Sequence, residues 1–169
     1  MTDLDFTILS ESPDDAAAIE RLTARTFGPG RFAKSAYRLR EKVEHIPELS
    51  FTARVGTLMV GSVRLSQILI GEAKALLLGP LTIEPPFRGR GIGQKLIARA
   101  LEEARRKGHR LVVLVGDEPY YARSGFKAAA KGRIEMPGPA DPARILVAEL
   151  VPGAFDGVSG AIRADWPAA

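Results

Sequence analysis

The chain has 169 residues, 46% of them hydrophobic, with a formal charge of +4 and a mean hydropathy of −0.01. With no cysteine and two histidines, disulfides, thiolate nucleophiles and Cys-based zinc sites are excluded, and no metal site is expected. The mild basic excess is not the dense patch of a nucleic-acid binder, so no nucleic-acid partner is expected.

That length predicts one α/β domain over residues 1–169, with 152–169 as a C-terminal extension. The N-terminal MTDLDFTILS has no basic stretch before a long apolar core, and no apolar run approaches ~18 residues. A cytoplasmic protein without membrane attachment is expected. Leu4 to Leu9 alternates as a first strand. Ser12-Pro13-Asp14-Asp15 opens a helix, with serine as N-cap, proline at the first helical position and acids at the positive end of the dipole. Gly28-Pro29-Gly30 is a loop, followed by a short helical stretch from about Ala33 to Val43 that carries Lys34, Arg38 and Arg40.

Leu49–Val55 and Leu58–Ile70 read as two strands joined by a tight hairpin at Gly56-Thr57. Ala75 to Ile83 is a buried strand broken by Gly79-Pro80. Proline cannot donate to a sheet ladder, so a bulge or splay is expected there. Gly93, Leu96, Ile97, Ala100, Leu101 and Ala104 keep helical spacing, and Lys107-Gly108 ends that helix. Leu111–Val115 is a fully apolar strand, parallel to the earlier buried one through a βαβ unit. A short helical piece spans Glu118 to Ser124, and Arg144–Val151 is the last clear strand. The stretch between these two is rich in Gly, Pro and Ala and reads as a loop.

Between the broken strand and the long helix stands FRGRGIGQKL, residues 87–96. A Walker A loop requires Gly-Lys-Ser/Thr, but Gly93 is followed by Gln94-Lys95-Leu96. A dinucleotide fingerprint requires a third glycine where Gln94 stands. What does fit is Arg88-x-x-Gly91-x-Gly93 at the start of a helix. Such a loop aims several free N–H groups at one point and adds the dipole's positive end, which suits an anion.

Arg88-Gly89-Arg90-Gly91-Ile92-Gly93 resembles the Q/R-x-x-G-x-G/A motif of the GNAT superfamily of acyl-CoA-dependent N-acyltransferases. Leu78-Gly79-Pro80-Leu81-Thr82-Ile83 and Tyr121-Ala122-Arg123-Ser124-Gly125-Phe126 extend the resemblance, and strand and helix order follows it to about Val151. The chain looks most like small bacterial acetyltransferases with a GPGRFAK-like segment, here Gly28 to Lys34. The resemblance implies a GNAT-like mixed twisted sheet of about six to seven strands, splayed between two parallel strands and flanked by about four helices.

By the same resemblance the anion is the pyrophosphate of acetyl-CoA, the co-substrate. It would be held by the backbone of Arg88, Gly89, Arg90, Gly91, Ile92, Gly93 and Gln94. Main-chain groups of Leu81, Thr82 and Ile83 would pair with the pantetheine arm, and one N–H would stabilise the oxyanion. Tyr121 stands where the family's catalytic acid stands, with Tyr120 as the neighbour that can be mistaken for it. On a helix the two point about 100° apart, so one is expected to face the cleft. Glu84, at the mouth of the splayed strands, is the candidate base, with His45 and Glu48 as alternatives. Gly116-Asp117-Glu118-Pro119 replaces an asparagine that many relatives carry after the second parallel strand. The implied reaction is acetyl transfer from acetyl-CoA to an amine of a small molecule or protein, by direct attack in a ternary complex, in a monomer or homodimer. The alternative is a non-catalytic acyl-CoA-binding sensor.

Overall fold

The computed structural model describes residues 5–27, 45–138 and 140–164. The helical stretch expected at about 33–43, its basic residues and the Gly28 to Lys34 segment lie outside them. β1 (Thr7–Ser10) leads to Ser12, whose hydroxyl accepts the Asp14 N–H at 3.2 Å while Asp15 takes the Ser12 N–H at 2.9 Å. This reciprocal cap, with Pro13 behind it, starts a single 3-10 turn (Pro13–Asp15) that continues as α1 (Ala16–Phe27).

β2 (Phe51–Val55), β3 (Leu58–Ile70) and β4 (Ala73–Ile83) form an antiparallel meander through two glycine turns. α2 (Ile92–Arg106) carries the chain to β5 (Leu111–Val115), which is parallel to β4. α3 (Glu118–Tyr121) follows, then β6 (Lys127–Ala128), β7 (Ile134–Glu135), β8 (Ile145–Glu149) and β9 (Gly160–Arg163). The nine-stranded sheet runs β1-β2-β3-β4-β5-β8-β6, and β9 joins both β3 and β7. The described residues hold three α-helices. Sequence periodicity did not reveal β6, β7 or β9. The first two have only two residues each, too few to show an alternation. β9 returns part of the C-terminal extension to the sheet through Leu69–Arg163 and Ile70–Ile162.

α2 covers one face of the sheet. Its Ile92, Leu96, Ile97 and Leu101 pack on Val63, Leu65, Leu76, Leu78, Val112 and Leu114. Each of these large aliphatics contributes about 2 kcal/mol when fully buried. On the opposite face α1 seats Ile19 and Leu22 on Met59. Beside it, Phe155 and Ile162 from the C-terminal segment close over Ile68, Ile70, Leu77 and Val113.

The α1 face also carries polar groups. Thr52, Ser62 and Thr82 stand side by side across β2, β3 and β4, fully buried. Glu11, with a 3% exposed side chain, accepts from Arg64 Nε and Nη2 at 2.9 and 3.0 Å, and His45 Nε2 lies 2.8 Å from its Oε2. Burial raises the Glu11 pKa, but the bonds and charges of His45 and Arg64 outweigh it and leave the carboxyl below its ordinary 4.5. A lowered folded-state pKa gives stability that is complete above about 4.5 and lost as pH falls below it. Thermal melts are therefore expected to lose midpoint on acidification below that value, and to lose less in Glu11→Gln, whose neutral amide has no charge to surrender.

Candidate active site

The site begins where β4 and β5 part. They pair at Leu76–Val112 and Leu77–Val113 alone. Beyond that point β4 stays on β3 as far as Ile83, while Leu114 and Val115 stay on β8. The expected irregularity is present: Leu78 faces Leu65 and Leu81 faces Val63, so Gly79 and Pro80 together oppose Arg64. Two residues against one bend β4 away from its parallel neighbour.

The direction of the exposed backbone can be read from one bond. Glu84 N–H donates to Val60 C=O at 2.8 Å. Bonded and non-bonded pairs alternate in an antiparallel ladder, so Thr82–Ser62 is a bonded pair. Leu81 and Ile83 then turn their N–H and C=O groups toward the gap. Thr82 does not share that orientation: its main-chain groups serve β3 and its side chain is buried on the α1 face. The expectation that Thr82 pairs with a ligand arm is corrected by this two-residue period.

Below the gap, Gly91 caps α2 with φ +82°, and no side chain satisfies the cap. A Cβ on Gly91 would meet open space, so the glycine is there for its left-handed backbone. Lys95 N–H makes the return bond to Gly91 C=O at 3.1 Å. The N–H groups of Ile92, Gly93 and Gln94 precede that first helical bond and have no acceptor within α2. Gly93 has a different reason. A Cβ there would collide with the Tyr120 hydroxyl, so the missing side chain makes room for a tyrosine rather than for a ligand.

These elements enclose an open cavity of about 550 Å³, a size that suits a small-molecule ligand. Leu81 and Ile83 form one wall, and Arg88, Gly89, Gly91, Ile92, Gly93 and Gln94 form the floor. Thr26 reaches it from α1, and Asp117, Tyr120, Tyr121 and Arg123 close the far side. Arg90 is exposed and outside this lining. Both tyrosines line the cavity, which corrects the expectation that one would. α3 is a single turn and the cavity wraps around it. The two rings lock edge to face at 5.0 Å, and Tyr121 packs on Phe126 at 6.0 Å. Gly116 at the end of β5 lacks the Cβ that would strike the Tyr121 ring.

The candidate bases lie at or beyond the rim. Glu84 follows Ile83, and its carboxylate accepts from Arg25 Nε and Nη2 at 3.3 and 2.7 Å. His45 is engaged with Glu11, and Glu48 is exposed in a 3-10 turn. Among the described residues no group of three or more His, Asp or Glu could hold a metal ion. No described helix is long and apolar enough to cross a membrane. The Arg25–Glu84 and Glu11–His45–Arg64 contacts join residues far apart in sequence and left no local signal.

Burial pushes the Tyr121 phenol up to about 12, helped by Tyr120 and Asp117 and opposed by Arg144. Tyr120 is raised too, chiefly by burial.

The acetyltransferase (GNAT) family model matches residues 16–126. YhbS of Escherichia coli, described as an uncharacterized N-acetyltransferase, is 29% identical over 155 residues, covering 90% of this chain and 92% of the relative. YjhQ of the same organism, also described as an N-acetyltransferase, is 32% identical over 134 residues, covering 77% and 74%. Among solved structures, E. coli YhbS in complex with CoA superposes with a TM-score of 0.80 at 26% identity, over 96% of this chain and 91% of that one. A Brucella melitensis GNAT family acetyltransferase in complex with acetyl-CoA gives 0.63 at 33% identity, over 90% and 99%.

Ultraviolet titration of the phenols is expected to show one ionisation near pH 12 that disappears in Tyr121→Phe. A normal value near 10 for that residue would contradict its burial.

Proposed function

Because the chain belongs to the acetyltransferase (GNAT) family, we propose that it transfers an acetyl group from acetyl-CoA to an amine of a small molecule or peptide, by direct attack in a ternary complex. The observation that carries this reading is the recessed β4 edge, with Leu81 and Ile83 facing a gap that ends on the open first turn of α2.

Acetyl-CoA fits the chemistry of these residues. The free N–H groups from Ile92 to Gln94, the dipole of α2 and the Arg88 guanidinium suit a pyrophosphate. The β4 edge suits an extended amide-bearing arm, which adds to it as a strand would. The N–H of Leu81 or Ile83 is then the group to polarise the thioester carbonyl. Such a donor is worth about 3 kcal/mol as the oxyanion forms.

Tyr121 is assigned to the leaving sulfur. A phenol at about 12 keeps its proton throughout the physiological range. A thiol ionises near 8.5, so the phenol is the weaker acid, and its service is a hydrogen bond that strengthens as charge develops on sulfur. Glu84 is assigned to receive the amine's proton. Its carboxylate follows Ile83 of the cavity wall and is paired with Arg25 at 2.7 Å.

Thiol release from acetyl-CoA across an amine panel tests the assignment. Tyr121→Phe is expected to lower kcat by roughly 100-fold with little change in the KM for acetyl-CoA. Glu84→Gln is expected to lose rate most at low pH, where the amine is protonated, and to recover as pH rises. Tight coenzyme binding without turnover of any amine would overturn the catalytic reading.

A further inference from the structure

We propose that Gln94 is a positioning residue that transmits occupancy of the anion cradle to Tyr121. This rests on the reading above, in which the first turn of α2 holds a diphosphate.

Gln94 belongs to two structures at once. Its N–H is one of the three that open α2 without an intrahelical acceptor. Its side chain leaves toward α3. There Nε2 donates to Tyr120 C=O at 2.9 Å, and Oε1 accepts from the Ser124 hydroxyl at 3.0 Å. A carboxamide supplies one donor end and one acceptor end, and both are used. Glutamate could not make the first bond, and an aliphatic chain could make neither.

The residue before it reinforces the link. Gly93 sits so close beneath the Tyr120 hydroxyl that a Cβ there would displace the ring. Tyr120 in turn meets Tyr121 edge to face at 5.0 Å. A shift of the first turn of α2 therefore reaches Tyr120 through the Gln94 side-chain bond to its carbonyl and through the hydroxyl contact at Gly93, and reaches Tyr121 through the ring pair. The same amino acids that meet the diphosphate thereby set the angle of the phenol that meets the sulfur. A staple that merely held α3 in place would give the same ring position with the cradle full or empty.

ADP separates these cases, because it offers a diphosphate to the cradle and has no pantetheine arm to touch Tyr121. The chain has three tyrosines, so 13C-tyrosine labelling gives few ring signals, and Tyr121→Phe assigns one of them. In the wild type, ADP is expected to shift the Tyr121 ring resonance. In Gln94→Met, which keeps the length and loses the amide, the shift is expected to vanish at ADP concentrations that saturate the variant. Ser124→Ala removes only one of the two bonds and is expected to give a reduced shift, which keeps the idea testable if Gln94→Met does not fold. A full shift in both variants, or no shift in the wild type at saturating ADP, would overturn the coupling. Failure of both ADP and CoA to bind the wild type would instead remove the donor-site reading, and this inference with it.

Discussion

β4 has to satisfy two neighbours with one backbone, and past Leu77 it keeps only β3. The cause is local. Proline has no N–H to give, and the Gly79–Pro80 pair occupies a space on β3 that one residue would fill. The ladder to β3 absorbs the extra residue as a bulge and resumes at Leu81. The short parallel pairing to β5 does not resume. The position of the cavity, the outward turn of Leu81 and Ile83, and the exclusion of Thr82 all descend from that break.

What β4 opens, α2 and α3 complete. The left-handed cap at Gly91 starts α2 without a side chain over its N–H groups. Four large aliphatic residues further along hold that helix to the sheet, so the cradle is fixed by the core rather than by the loop. α3 has too few residues to be stable alone. It is held by Phe126 beneath Tyr121, by Gly116 beside it and by Gln94 across from it. The phenol is thus placed by packing on three sides, and its raised pKa is a direct result of that enclosure.

The sequence made much of this legible where the signal was local. The 3.6-residue spacing of Leu96, Ile97, Ala100 and Leu101 marked the helix, and the Gly56-Thr57 hairpin marked the meander. Gly79-Pro80 marked the break, and Arg88 to Gly93 marked the start of α2. The limits were also physical. Which of Leu81, Thr82 and Ile83 faces the gap depends on the bonding phase of the ladder, and residue types do not carry that phase. The reason for Gly93 lies 27 positions later in the chain, in the tyrosine above it. Tyr120 and Tyr121 both reach the cavity because a one-turn helix does not bury one side. The ion pairs of Glu84 with Arg25 and of Glu11 with Arg64 depend on elements meeting in space, and β6 and β7 were too short to announce themselves.

A free strand edge is usually a hazard, since any extended chain with exposed amides can add to it and recruit another. Here the edge lies in the middle of a sheet, between strands that are still joined at Leu76 and Leu77. A second sheet cannot approach it, because β5 and β8 occupy the far side of the gap. A single narrow thread can. The wedge therefore leaves main-chain groups of β4 unpaired while limiting the width of anything that reaches them. The join at Leu77 closes the gap at its inner end.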